Sequence, residues 1–133
     1  MAGAYDDRDG VIWMDGKLVD WRDAKVHILT HGLHYGSSVF EGERAYNGKI
    51  FKSREHSERL LKSGEYMDIP IPYTVDEIEA AKAEVLAASG LQDAYVRAIC
   101  WRASGEDMGV ASARNPVKMA IAVWEWGAYY GDA

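Results

Sequence analysis

Residues 38–52 read Ser38-Val39-Phe40-Glu41-Gly42-Glu43-Arg44-Ala45-Tyr46-Asn47-Gly48-Lys49-Ile50-Phe51-Lys52, and the fold turns on how this stretch is read. Asn and Gly both tolerate positive φ, so Asn47-Gly48 between two strand-like runs predicts a β-hairpin. Ser38 to Tyr46 is then one strand and Lys49 to Lys52 its return. Upstream the same grammar recurs: Val11-Ile12-Trp13-Met14, then Asp15-Gly16, then Lys17-Leu18-Val19. Downstream the period changes. Ser53 is placed to cap a helix whose Leu60, Leu61 and Met67 face a core, and Ile69-Pro70-Ile71-Pro72 must lie beyond its end. Thr74-Val75-Asp76-Glu77 is a capping box for a second helix, with Ile78, Ala81, Val85 and Ala88 at helical spacing and Gly90 as its stop. Ala94 to Ala103 and the nearly apolar Val117 to Trp124 read as strands, the latter a central one, joined by a loop from Ser104 to Asn115. Four strands, two helices and two strands in that order predict an α+β fold: a mainly antiparallel sheet with two helices packed on it.

The chain has 133 residues, 48% of them hydrophobic, which suits one domain with its own core. The expected division is a polar, flexible lead-in over 1–10, a small α+β domain over 11–124, and the start of a connector over 125–133. The formal charge is -6, and no basic run suggests a nucleic-acid surface. No apolar run approaches a membrane span and the N-terminal ten residues lack a signal-peptide pattern, so a soluble cytoplasmic protein is expected. The single Cys100 excludes an internal disulfide and reads as a buried thiol.

Strand alternation sorts the chemistry. Phe40, Gly42, Arg44 and Tyr46 share one face, while Glu41, Glu43 and Ala45 share the other. On the later strand Tyr95, Arg97, Ile99 and Trp101 share a face. If the two faces coincide, the product is a pocket with aromatic walls and cationic tips, and Gly42 leaves room for a ligand beside the backbone. The ordinary alternative is that these arginines pair with glutamates across strands. His27, His31 and His34 are expected to hydrogen-bond loop backbone rather than to hold a metal, since no acidic or cysteine ligand lies near. Arg59, by spacing alone, is a surface charge beside Glu55.

A longer string carries more. Val26-His27-Ile28-Leu29-Thr30-His31-Gly32-Leu33-His34-Tyr35-Gly36-Ser37-Ser38-Val39-Phe40-Glu41-Gly42-Glu43-Arg44-Ala45-Tyr46 resembles the class IV (fold type IV) pyridoxal-phosphate aminotransferases, and among them the branched-chain amino-acid aminotransferases. The likeness continues through Arg54-Glu55-His56, Arg59-Leu60, Ala94-Tyr95-Val96-Arg97, Met108-Gly109-Val110 and Trp126-Gly127-Ala128-Tyr129. Tyr-Gly-x-Ser-x-Phe-Glu-Gly-x-Arg is its most specific part.

The resemblance implies a two-domain, homodimeric enzyme of which this chain is the small domain. The residue matching Arg59 reaches the cofactor phosphate. Those matching Phe40, Gly42, Arg44, Tyr95, Arg97, Trp126 and Tyr129 line or support the substrate pocket. Those matching Tyr35, Met108, Gly109 and Val110 are contributed to the neighbouring subunit. The cofactor is pyridoxal 5'-phosphate. Leucine, isoleucine and valine exchange amino groups with 2-oxoglutarate and glutamate by ping-pong transamination. The cofactor lysine belongs to the large domain, and none of the seven lysines here lies in a matching segment, so the chain alone is expected to be inactive. Glu43 departs from the aliphatic residue usual at its position; alternation sends it away from the pocket, and substrate range is left open. A D-amino-acid aminotransferase, an aminodeoxychorismate lyase of the same fold, and a stand-alone binding or assembly domain are the alternatives.

Overall fold

The computed structural model describes residues 3–126. Six strands form one antiparallel sheet: β1 (Val11–Met14), β2 (Lys17–Asp20), β3 (Ser38–Tyr46), β4 (Lys49–Ile50), β5 (Ala94–Arg102) and β6 (Val117–Trp124). Their order is β2-β1-β6-β5-β3-β4, so β6 is central, as its apolar run predicted. The α-helices among the described residues are α1 (His31–Tyr35), α2 (Ser53–Tyr66) and α3 (Val75–Ser89). This is the expected α+β class, with two main helices laid on one sheet face.

Local chemistry sets the turns. Asp15 and Gly16 sit at φ 50° and 108°, and Asn47 and Gly48 at 52° and 78°, the positive values that tight hairpins require. The Thr74 hydroxyl accepts from the Glu77 amide at 3.1 Å while the Glu77 carboxylate accepts from the Thr74 amide at 2.8 Å. That reciprocal pair starts α3, and Gly90 at φ 71° ends it.

The core lies between the sheet and α2 and α3. Leu60, Ile78 and Val85 meet Ala45, Val96, Ala98, Cys100, Met119 and Ile121 with essentially no exposure. Each large aliphatic among them contributes roughly 1.5–3 kcal/mol by leaving water.

Several expectations need correction. Ser53 is not a cap; it is the first residue of α2, and its hydroxyl donates to Glu79 at 2.9 Å. The position before the helix is Lys52 at φ 55°, which also cuts β4 to two residues. Met67 is 50% exposed because it lies past the last turn of α2, where the Ile69 amide bonds back to the Gly64 carbonyl at 2.7 Å. Leu86 rather than Ala88 completes the buried stripe of α3. The five-residue α1 has no periodic pattern to announce it and is an addition to the expected elements. Residues 3–10 carry no regular element, yet Trp21 Nε1 donates to the Tyr5 carbonyl at 2.6 Å and Arg8 is buried, so they lie against the body.

Candidate functional site

The sheet face away from α2 and α3 gathers the expected pocket residues. Register pairs Phe40 with Ile99, Gly42 with Arg97, and Arg44 with Tyr95 across β3 and β5. It pairs Tyr95 with Trp124 and Arg97 with Ala122 across β5 and β6. Directly opposed residues share a face, so the two faces do coincide.

Arg97 is the centre of this group. Its Nε and Nη2 donate to Tyr95 Oη at 3.0 and 2.9 Å, and its guanidinium carbon lies 4.2 Å from the centroid of the Phe40 ring. Tyr95 in turn packs on Trp124 at 4.8 Å and edge-on to Trp126 at 4.6 Å. Arg44 lies beside the Tyr46 ring, 6.0 Å from its centroid. Glu41 and Glu43 are buried on the other face, so neither is the partner of Arg97. Among the described residues no carboxylate forms an ion pair with Arg97. A cavity of about 320 Å³ adjoins it, walled by Ile12, Met14, Val26, Leu33, Ile99 and Ala122.

Gly42 does not leave a gap for a ligand. A Cβ there would lie 2.5 Å from Tyr95 Oη, so the space a side chain would fill is taken by the phenol. The glycine lets Tyr95 reach across the strand and hold Arg97.

Behind this face lie two ionic clusters that the sequence pattern does not disclose. Glu41, on β3, accepts from Arg59 Nε and Nη2 at 2.8 Å each and from His56 Nδ1 at 2.6 Å. Arg59 therefore pairs with Glu41, and Glu55 is left to Lys52 at 3.8 Å. Burial would raise the Glu41 carboxyl, but hydrogen bonds from Arg59 and His56 outweigh it and hold the group below the usual carboxylate range. Glu43 Oε1 accepts from Lys82 Nζ at 2.7 Å, and Lys82 also donates to Ser57 Oγ at 2.7 Å. Burial pushes the Glu43 carboxyl up against the pull of Lys82, and its Oε2 has no hydrogen-bond partner among the described residues. The clue available in the sequence is spacing: His56 and Arg59 lie three apart on one helix, opposite the back-facing carboxylates.

His27, His31 and His34 each meet loop backbone, as expected; His27 Nδ1 accepts from the Leu29 amide at 3.1 Å. His31 Nε2 meets the Gly109 carbonyl at 2.8 Å and its Nδ1 meets Ser37 Oγ at 2.7 Å. His34 Nε2 meets the Ile28 carbonyl at 2.8 Å. The Tyr35 hydroxyl donates to the Met108 carbonyl at 2.8 Å, so Tyr35, Met108, Gly109 and the exposed Val110 form one patch where α1 meets the β5–β6 loop. Cys100 is fully buried, which pushes its thiol up to about 12. Tyr129 lies outside the described residues, as does the connector from 127 on. No helix among the described residues is long and apolar enough to cross a membrane.

Among the described residues, Arg59 has the chemistry to hold the phosphate of a pyridoxal-phosphate cofactor. Arg59 is 67% exposed, and its Nη1 has no hydrogen-bond partner among the described residues. Lys82 is buried and paired, so it is not available to a cofactor aldehyde.

The family model for amino-transferase class IV matches residues 38–133, and the chain belongs to that family. Within it the chain is a homologue of the branched-chain-amino-acid aminotransferases. It is 47% identical over 130 residues to the enzyme of Pseudomonas aeruginosa, an alignment that covers 95% of this chain. It superposes on the crystal structure of the Escherichia coli branched-chain amino acid aminotransferase with a TM-score of 0.86 at 38% identity over 93% of the chain. The branched-chain aminotransferase of the thermophilic archaeon Thermoproteus uzoniensis, in its crystal structure with norvaline, matches with a TM-score of 0.85 at 35% identity over 92% of the chain. The chain spans 42% of the length of each of these three relatives.

Proposed function

We propose that this chain is the small, substrate-recognising domain of a cytoplasmic branched-chain amino-acid aminotransferase, acting with a large domain that carries the cofactor lysine. The observation that carries the reading is the Arg97–Tyr95–Phe40 arrangement over Gly42: a guanidinium tied to a phenol, stacked on an aromatic ring and bordered by an apolar cavity. Such a surface can serve both halves of a ping-pong transamination. Phe40, Tyr95 and the cavity wall shelter a leucine, isoleucine or valine side chain from water. Arg97 and the Tyr95 hydroxyl offer charge-assisted hydrogen bonds when the same space receives the γ-carboxylate of glutamate or 2-oxoglutarate. Arg44, Trp126 and Tyr129 complete or support this pocket. Arg59 holds the cofactor phosphate. Pyridoxal phosphate, when bound, supplies the electron sink for the reaction. Tyr35, Met108, Gly109 and Val110 form the surface given to a second subunit in a homodimer. The chain by itself orients substrate and phosphate but transfers no amino group.

The test compares this chain with a version joined to the large domain of a relative. Cofactor binding is followed by absorbance and borohydride trapping, and amino transfer from leucine to 2-oxoglutarate by product assay. The joined protein is expected to bind stoichiometrically and turn over, and the chain alone to do neither. Turnover by the chain alone overturns the division of labour. A joined protein that prefers D-alanine, or a lyase substrate, overturns the substrate assignment.

A further inference from the structure

We infer that Glu41 and His56 are positioning residues that fix the plane of the Arg59 guanidinium and leave one of its forks open toward an oxyanion. This rests on the reading above, in which Arg59 receives the cofactor phosphate. Glu41 and Arg59 differ sharply in burial. Glu41 is 3% exposed at its side chain, whereas Arg59 is 67% exposed. An arginine serving only as a surface ion pair gains little from a carboxylate taken out of water, because the desolvation of that carboxylate offsets the attraction. A buried carboxylate does offer rigidity. Glu41 is fixed within β3, and both its oxygens are used: Oε2 by Arg59 Nε, and Oε1 by Arg59 Nη2 and His56 Nδ1.

The geometry then decides which part of the guanidinium remains. A guanidinium presents five N–H donors in a planar fork. The Nε–Nη2 edge is engaged by Glu41, so the end formed by Nη1 and the outer hydrogen of Nη2 is the fork left for two oxygens of one phosphate. An ionised carboxylate only accepts, so His56 donates from Nδ1. Its role is to hold the carboxylate from the side that Arg59 does not reach.

The strand carries the arrangement further. Glu41 lies between Phe40 and Gly42, whose front face meets Arg97 and Tyr95. One three-residue stretch of β3 thus ties the aromatic pocket on one side of the sheet to the phosphate arginine on the other.

The test follows the Arg59 Nε–H signal by NMR in the full 133-residue chain during titration with inorganic phosphate and with pyridoxal phosphate. Cofactor dissociation from the joined two-domain protein is measured alongside. The wild-type signal is expected to be resolved, slow to exchange and saturably shifted by both anions. Glu41→Gln is expected to merge it with the exposed arginines and to weaken both anions about tenfold or more. His56→Asn, which keeps a donor near the Nδ1 position, should preserve the response, and His56→Leu should not. If Glu41→Gln does not fold, Glu41→Asp draws the carboxylate back by one methylene and tests the same fork. A folded Glu41 variant with wild-type anion affinity overturns the inference, as does a wild-type Arg59 signal that phosphate never shifts. Glu41-dependent anion binding in a joined protein that does not accept leucine supports the inference while removing the branched-chain assignment.

Discussion

Tyr95 Oη lies over Gly42 so closely that a Cβ at that position would come within 2.5 Å of it. The phenol leaves no room to spare, and Arg97 depends on it for both of its side-chain hydrogen bonds on the sheet face. Gly42→Ala is therefore expected to displace Tyr95 rather than merely stiffen β3. Thermal unfolding should show a loss of about 1–3 kcal/mol, the usual cost of overpacking a fixed site. The diagnostic is that Trp124 and Trp126 fluorescence shifts with it, because both indoles pack on the Tyr95 ring.

Arg97→Leu separates the two kinds of substrate. Removal of a charge-assisted contact costs roughly 1.5–3 kcal/mol, or about 10- to 150-fold in kcat/KM. In the joined two-domain protein that loss should fall on 2-oxoglutarate and glutamate, with leucine affected far less. Equal losses for both would show that Arg97 only props up Tyr95.

The Lys82–Glu43 pair lends itself to a double-mutant cycle. Lys82 is 1% exposed, so Glu43→Ile leaves a buried ammonium whose remaining charged partner among the described residues is the more distant Glu79, at 3.3 Å. Denaturant unfolding should register about 3–5 kcal/mol of destabilisation. Glu43→Ile with Lys82→Met should recover most of it, since an apolar pair of similar volume needs no desolvation. A single mutant no less stable than the double would show the pair to be uncoupled.

Acid titration should read out Glu41. Its folded pKa is lowered, so its contribution to stability is fully present above the ordinary glutamate value of about 4.3 and is lost as pH falls through its lower folded value. Glu79 shifts the same way: burial opposes ionisation, but hydrogen bonds from Ser57 and Ser53 prevail. Urea midpoints measured from neutral pH downward should therefore drop on the acid side in the wild type, and Glu41→Gln should flatten that slope. An unchanged slope in the variant would assign the acid sensitivity to other carboxylates.

Cys100 should be silent until the core opens. Burial pushes the thiol up to about 12, so the native state carries very little of the reactive thiolate at pH 8. Reaction with an aromatic disulfide reagent should run at the rate of an exposed thiol scaled down by the opening equilibrium constant, and should therefore track stability. Fast labelling in native buffer would place the β5 core in a low-stability opening.

What the sequence disclosed was whatever chemistry is local. Asp15-Gly16 and Asn47-Gly48 turn the chain because of their own backbone freedom, and Thr74 with Glu77 caps α3 across three residues. The period of two placed Phe40, Gly42 and Arg44 opposite Glu41 and Glu43, and the register makes that face common with Tyr95 and Arg97. What stayed hidden depends on contacts between distant segments. The short α1 is held by His31 reaching Gly109, and Lys82 in a charged helix reads as surface until Glu43 is seen beneath it. The space at Gly42 was legible, but not that Tyr95 fills it, because a side-chain rotamer leaves no mark in the pattern.

The strand order sets a timetable for biosynthesis. β1 pairs with β6, Trp13 opposite Ile121, so the hairpin made first among these elements gains its neighbour only after β6 has been made. At ordinary elongation rates of about 5–20 residues per second, that edge stays unpaired for roughly 5–20 s. β5 likewise has only β3 until β6 arrives to fill the gap between β1 and β5. A nascent chain arrested before Val117 would thus present two further open strand edges, on β1 and β5, beside the outer edges of β2 and β4 that the finished sheet keeps.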